Sequence, residues 1–213
     1  MSSLVAASPF GDLTTPGRFG KAGDASAPVT IRERRDLQLH TISANAGRSA
    51  DVAEAVLSAT GLTLPAGPKA ASKDGLVFIG TAPGQWLVVA QGDGSAQFDG
   101  IRSRLAELAS IVEQTDGKAV VEISGPRVRD TLAKGCMLDL HPRVFGPGDA
   151  ATTPVALIDC QIWQINAGPT YLLAVPSSYA GSFWSWLTSS AAEFGYEVEC
   201  DQPSIDVKGA FPR

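Results

Sequence analysis

A chain of 213 residues with 44% hydrophobic residues is long enough for one large or two small domains and can bury a core of ordinary size. Its net charge of −5, with no Lys/Arg cluster, excludes nucleic acid and anionic membrane surfaces as partners. Three widely spaced cysteines, Cys136, Cys160 and Cys200, form no disulfide framework and fit a reducing cytoplasm.

Residues 1–28 are rich in Ser, Ala, Gly and Pro without a period, and read as an arm that is ordered only where something holds it. The first apolar run, 4–7, is too short for a signal peptide. A first unit spans 29–116. It reads as a strand at 37–42, a helix at 50–60 with Ala53, Val56 and Leu57 inward, and a hairpin of 76–80 with 85–90. A helix at 97–110 follows, with Phe98, Ile101, Leu105 and Leu108 on one stripe, and a strand at 111–114 closes the unit.

A second unit spans 117–200 and repeats the plan. The strand 119–123 is followed by Gly125-Pro126 and a helix through Lys134, since Pro suits a first helical turn. Gly135 is expected to stop that helix in the left-handed conformation. A longer link, 141–153, leads to a hairpin of 155–165 with 171–175, a helix at 179–194 and a strand at 196–200. The two hairpins, LVFIGTAPGQWLVVA (76–90) and CQIWQINAGPTYLLAV (160–175), share one layout: an apolar run, a Gly/Pro turn, then a second apolar run. The expected fold class is α+β, two tandem ferredoxin-like βαββαβ units forming one domain. The hairpin strands do not alternate, so both sheet faces should be covered, one by helices and one by the other repeat or another chain. The tail 201–213 should be extended.

From residue 160 to 192 no charged side chain occurs. Asn166, Gly168, Pro169 and Pro176 interrupt the stretch, so it is not a membrane span. Its helix is the informative part. The helix at 97–110 carries Asp99, Arg102, Arg104 and Glu107 opposite its apolar stripe. The helix at 179–194 has an inward stripe of Phe183, Leu187, Ala191 and Phe194, but its other side carries Ser182, Ser185, Ser189 and Ser190, with Tyr179 and Trp186 on one flank and Trp184 on the other. Interfaces are depleted in charge and enriched in aromatics, so Tyr179, Ser182, Ser185, Trp186 and Ser189 are candidate partner-facing residues.

Other motifs read as structural. Gly92-Asp93-Gly94 misses the dinucleotide fingerprint, because Gln97 stands where a small residue is needed and the preceding strand ends a hairpin. His40 alternates with Leu37 and Leu39, which points it away from the core. In Lys134-Gly135-Cys136-Met137-Leu138-Asp139-Leu140-His141, Cys136 follows a helix C-terminus, whose dipole disfavours a thiolate. Cys136 and Leu138 should pack inward, with Asp139 and His141 tying the next loop. No catalytic residue and no metal site is expected on this chain.

GPRVRDTLAKGCMLDLHPRVF (125–145), TTPVA (152–156), VPSSYAGSFWSWLTSSAAEFG (175–195) and GQWLVVA (84–90) together resemble the gamma subunit family of heterotetrameric sarcosine oxidase, over residues 30–196. The resemblance makes Lys134, Gly135, Cys136, Asp139 and His141 a structural signature. It implies a fold like the folate-binding domain of the glycine-cleavage T protein, and a cytoplasmic complex with alpha, beta and delta chains. Such a complex demethylates sarcosine oxidatively to glycine, with formaldehyde or methylene-tetrahydrofolate. FAD, FMN, NAD and tetrahydrofolate are then held by other subunits and none by this one. Two departures stand out: Ser177 replaces a basic residue that members often carry, and Met137-Leu138-Asp139 replaces the continuation seen in a folate-dependent iron–sulfur maintenance family of this fold. The alternatives are the gamma subunit of N-methylglutamate dehydrogenase and a stand-alone folate-binding aminomethyltransferase, for which Asp116 and Asp159 are the carboxylate candidates.

Overall fold

The structure, a computed structural model, describes residues 8–21 and 27–199. The first unit contains β3 (Leu37–Ala44), α1 (Ser49–Thr60), β4 (Ala70–Lys73), β5 (Leu76–Ala82), β6 (Gln85–Gln91), α2 (Asp93–Leu105) and β7 (Ala109–Glu113). The second contains β8 (Lys118–Ser124), α3 (Val128–Leu132), β9 (Ala150–Val155), β10 (Ile158–Asn166), β11 (Thr170–Pro176), α4 (Ala180–Ala192) and β12 (Tyr196–Glu199). Two strands precede them, β1 (Gly17–Phe19) and β2 (Val29–Glu33).

The five-stranded sheet runs β4-β5-β6-β3-β7, which is the ferredoxin-like order with β4 added at one edge. The seven-stranded sheet runs β1-β12-β2-β8-β11-β10-β9. Its β8, β11 and β10 repeat the order of β3, β6 and β5. The last strand does not close on β8, however. β2 lies between them, antiparallel to β8 and parallel to β12, with Ile31 opposite both Ile123 and Val198. The segment 29–33, which opens the first unit along the chain, therefore belongs to the sheet of the second.

Three apolar clusters explain the non-alternating strands. Val52, Val56, Phe78, Val88, Phe98 and Ile101 pack α1 and α2 on the outer face of the five-stranded sheet. Val121, Ile123, Leu132, Leu173, Phe183 and Leu187 do the same for α3 and α4 on the seven-stranded sheet. Between the sheets, Leu37, Leu39, Ile79 and Leu87 meet Trp163, Ile165 and Leu172. The second face of each sheet is thus covered by the other repeat within one chain.

Several elements differ from their sequence reading. α2 begins at Asp93 rather than 97, so the Gly92-Asp93-Gly94 turn is the helix start. A Cβ at Gly94 would lie 2.3 Å from the Gly75 carbonyl oxygen, so Gly94 permits close backbone packing. The link 141–153 contains most of β9. α3 is only 5 residues long. Leu57 is exposed, and Val52 takes the inward place beside Val56. His40 is buried, with its ring 4.5 Å from that of Phe98, because its face of β3 is roofed by α2. Cys200 and the tail 201–213 lie outside the described residues.

Part of the N-terminal arm is held in place. Phe10 is buried with its ring 5.3 Å from Trp184. The Lys21 N–H donates to the Ala192 carbonyl at 2.9 Å, and β1 pairs with β12. The arm clasps the flank and the C-terminal end of α4.

Candidate docking surface

α4 presents three sides. Phe183, Leu187 and Ala191 point into the core. Trp184 is covered by the arm, so this flank is not free for a partner. Tyr179, Ser182, Ser185 and Ser189 are exposed. This outer side has no charge, and its hydroxyls are partly turned back onto the helix: Ser185 Oγ donates to the Gly181 carbonyl at 3.0 Å. Ser190, read from sequence with this group, is buried.

Trp186 is half-buried at the edge of this face. Its ring lies 5.7 Å from Phe183 and covers Gly135. A Cβ at Gly135 would sit 2.6 Å from Trp186 Cζ2. Gly135 does not adopt positive φ, contrary to the left-handed stop read from sequence. Glycine is required there for space beneath the indole.

The rest of the Lys134–His141 string joins α3 to its surroundings. Lys134 Nζ donates to the Ser190 carbonyl at 2.6 Å and to Glu193 at 2.7 Å, and lies over the Phe194 ring. A cation there complements the C-terminal end of α4. Cys136 is buried and bridges Val155, and burial pushes its thiol pKa up. The Asp139 carboxylate accepts the His141 N–H at 2.9 Å, and His141 Nδ1 accepts the Arg143 N–H at 3.2 Å. Among the described residues no cluster of three His, Cys, Asp or Glu side chains could hold a metal ion.

A cavity of about 600 Å³ opens beside the junction of β2, β3 and β8. Its wall includes Glu33, Arg34, Leu39, Asp116, Lys118 and Ser177. Asp159 does not line it, so the two carboxylates considered for folate are not brought together. Asp116 is exposed in the turn before β8, where its backbone carbonyl accepts the Ser177 hydroxyl at 2.6 Å.

Sequence reasoning missed the ionic network next to this cavity. Arg34 is fully enclosed and donates to Asp36 at 2.7 and 2.9 Å and to Glu122 at 2.6 Å. Burial alone would lower the Arg34 pKa, but the hydrogen bonds and charges of Asp36 and Glu122 raise it. Asp36 is likewise held below the ordinary carboxylate value: burial opposes this, and Arg34 and the Gln91 amide overcome it. Arg32 pairs with Glu199 of β12. The one available signal was the dense charge of Arg32-Glu33-Arg34-Arg35-Asp36 between apolar segments.

The fold defines an α+β two-repeat domain. It is shared with the glycine cleavage system aminomethyltransferase T from Bartonella henselae, at 14% identity, a TM-score of 0.56, and coverage of 78% of this chain and 49% of that one. Residues 45–193 match the sarcosine oxidase, gamma subunit family. A sarcosine oxidase subunit gamma from Corynebacterium sp. (strain P-1) is 30% identical over 178 residues, 82% of this chain and 86% of that protein. One from an Arthrobacter species is 26% identical over 151 residues, 71% of this chain and 74% of its own length. A chain of the heterotetrameric sarcosine oxidase from Corynebacterium sp. U-96, solved in complex with pyrrole 2-carboxylate, superposes with a TM-score of 0.71 at 25% identity, covering 85% of this chain and 90% of its own. The chain belongs to the sarcosine oxidase gamma subunit family. These relatives favour that family over the dehydrogenase and stand-alone transferase alternatives.

Proposed function

We propose that this chain is the gamma subunit of a cytoplasmic heterotetrameric sarcosine oxidase and supplies surface to it, not reacting groups. The observation that carries the reading is the likeness, along most of both chains, to a chain of a heterotetrameric sarcosine oxidase. In the complex, alpha, beta and delta chains would be its partners, and FAD, FMN, NAD and tetrahydrofolate would sit on those chains. The assembly would remove the N-methyl group of sarcosine oxidatively, giving glycine with formaldehyde or methylene-tetrahydrofolate. The chemistry of such a reaction belongs to its cofactors.

The uncharged outer side of α4, with Tyr179, Ser182, Ser185 and Ser189, would face a partner, and Trp186 would brace that face from its edge. Lys134, Gly135, Cys136, Asp139 and His141 would serve this geometry by fixing α3 against α4. Affinity purification of the tagged full chain from its native host, with mass spectrometry of bound proteins, tests the reading. Three other oxidase subunits are expected; a chain that purifies alone refutes it. Ser189→Glu or Ser185→Glu should weaken assembly about tenfold or more, since a buried carboxylate without a partner is costly. Neither should move the melting temperature of the lone chain, where both positions are exposed.

A further inference from the structure

We infer that Leu157 and Met137 form a rigid apolar hook that seats in an apolar recess, rimmed by Lys or Arg side chains, on another subunit of the oxidase complex. This rests on the reading of the chain as an assembly subunit.

The hook begins with an unfavourable turn. β9 and β10 are joined by a two-residue loop, Ala156-Leu157, because Val155 pairs with Ile158. Both loop residues have positive φ, 50° and 66°. Such turns favour Asn-Gly or Asp-Gly, which accept this backbone at least cost. A leucine there is strained, and Leu157 is also 98% exposed, so no packing within the chain offsets the strain. Strain of this kind persists where function requires the geometry.

The turn is also pinned. The Ala156 N–H donates to the Gly135 carbonyl at 3.0 Å, and Cys136 bridges Val155 with both side chains buried. On the other side of that bridge stands Met137, 94% exposed. No other exposed large apolar side chain among the described residues exceeds the 61% of Val144. The two apolar tips flank one backbone bridge, Leu157 on the pinned turn and Met137 next to Cys136, and ordering the turn on binding costs little backbone entropy. Gly135, opposite Ala156, is roofed by Trp186, so the hook adjoins the uncharged face of α4.

Charge selects the partner. Each tip is followed two residues later by an exposed aspartate, Asp139 after Met137 and Asp159 after Leu157. Of the nearby cations, Lys134 is paired with Glu193, and Lys118, partly buried, interacts with Asp159. A second copy of this chain would bring the same acidic rim and repel it. A recess with a cationic rim complements it.

The test uses the full chain titrated against the other subunits of the complex. Replacing the turn by its preferred residues, Ala156→Asn with Leu157→Gly, should raise the melting temperature of the lone chain by about 2 °C. The same change should weaken assembly about tenfold or more, as expected from losing one buried leucine. Met137→Ser should weaken assembly several-fold and leave melting unchanged. Asp159→Lys should weaken it most at low salt. Full affinity in the turn variant overturns the hook, and if Ser189→Glu still weakens assembly, the subunit reading survives. A wild-type chain that binds no other subunit overturns both. Self-association of the lone chain that the turn variant abolishes makes a second copy the occupant, and also overturns the proposal.

Discussion

Gly135→Ala isolates the contact that joins α3 to α4. The backbone at Gly135 has no positive φ, so alanine is conformationally acceptable. On its own that change would stabilise the chain by about 0.4–1 kcal/mol through the unfolded state. The added methyl, however, would lie 2.6, 2.8 and 2.9 Å from Trp186 Cζ2, Cε2 and Nε1. Carbon atoms pack at roughly 3.5–4.0 Å, so the indole must retreat by about 1 Å. The Gly135 backbone cannot retreat instead, because its N–H donates to the Leu132 carbonyl at 3.1 Å and its carbonyl accepts from Ala156. Moving the indole disturbs its packing on Phe183. Overpacking of this kind costs about 1–3 kcal/mol. The net loss should be about 1–2 kcal/mol, a fall in melting temperature of roughly 2–8 °C for a chain of this size. Urea unfolding of the two single variants and of Gly135→Ala with Trp186→Leu forms a double-mutant cycle. The double variant should recover part of the loss, since leucine leaves room for the methyl. If Gly135→Ala is as stable as wild type, or the two changes are additive, the space argument for Gly135 is wrong.

Arg34→Met should cost about 3–5 kcal/mol in urea unfolding, because it takes the enclosed guanidinium away from buried Glu122 and part-buried Asp36; a loss below about 1 kcal/mol would mean that the network is solvated. His40 has a pKa lowered by burial first and then by Arg102, with Glu113 and Asp99 opposing. The unfolded chain then binds more protons below the ordinary histidine value of about 6.5, so stability present at pH 7 declines as pH falls toward the lowered folded value. His40→Gln should flatten that decline below about pH 6.5, and an unchanged slope would refute the assignment. Below about pH 4, Asp36 adds a second decline: its lowered pKa contributes stability above the ordinary carboxylate range that is lost as it protonates, and Asp36→Asn should remove it. Cys136→Ser should leave turnover of the assembled complex within about twofold while lowering stability by about 1 kcal/mol or more, since it places a hydroxyl in an apolar site; a thousandfold loss of turnover with assembly intact would show that the thiol reacts.

The repeat, the fold class and the uncharged helix were legible in the sequence because each depends on local pattern. Apolar periodicity sets which face of α1, α2 and α4 turns inward, and the missing charges of 180–192 survive in the structure as an exposed serine face. The non-alternating hairpins also declared that both sheet faces are covered. What covers them was a matter of tertiary structure: Leu37 and Leu39 meet Trp163 and Leu172 of the other repeat. His40 was misread for the same reason, since strand alternation gives the face but not what lies above it, and α2 lies above this one.

The insertion of β2 between β8 and β12 joins residues far apart in the chain, and no local signal marks it. The same holds for the Arg34–Glu122 pair, where a charged segment becomes enclosed because its partner arrives from β8. Gly135 shows the division within one residue. The sequence alone determined that a glycine lies between α3 and Cys136. Only the tertiary structure decided why, because its reason is the volume of Trp186, fifty-one positions later, pressed against a backbone with no room for a Cβ.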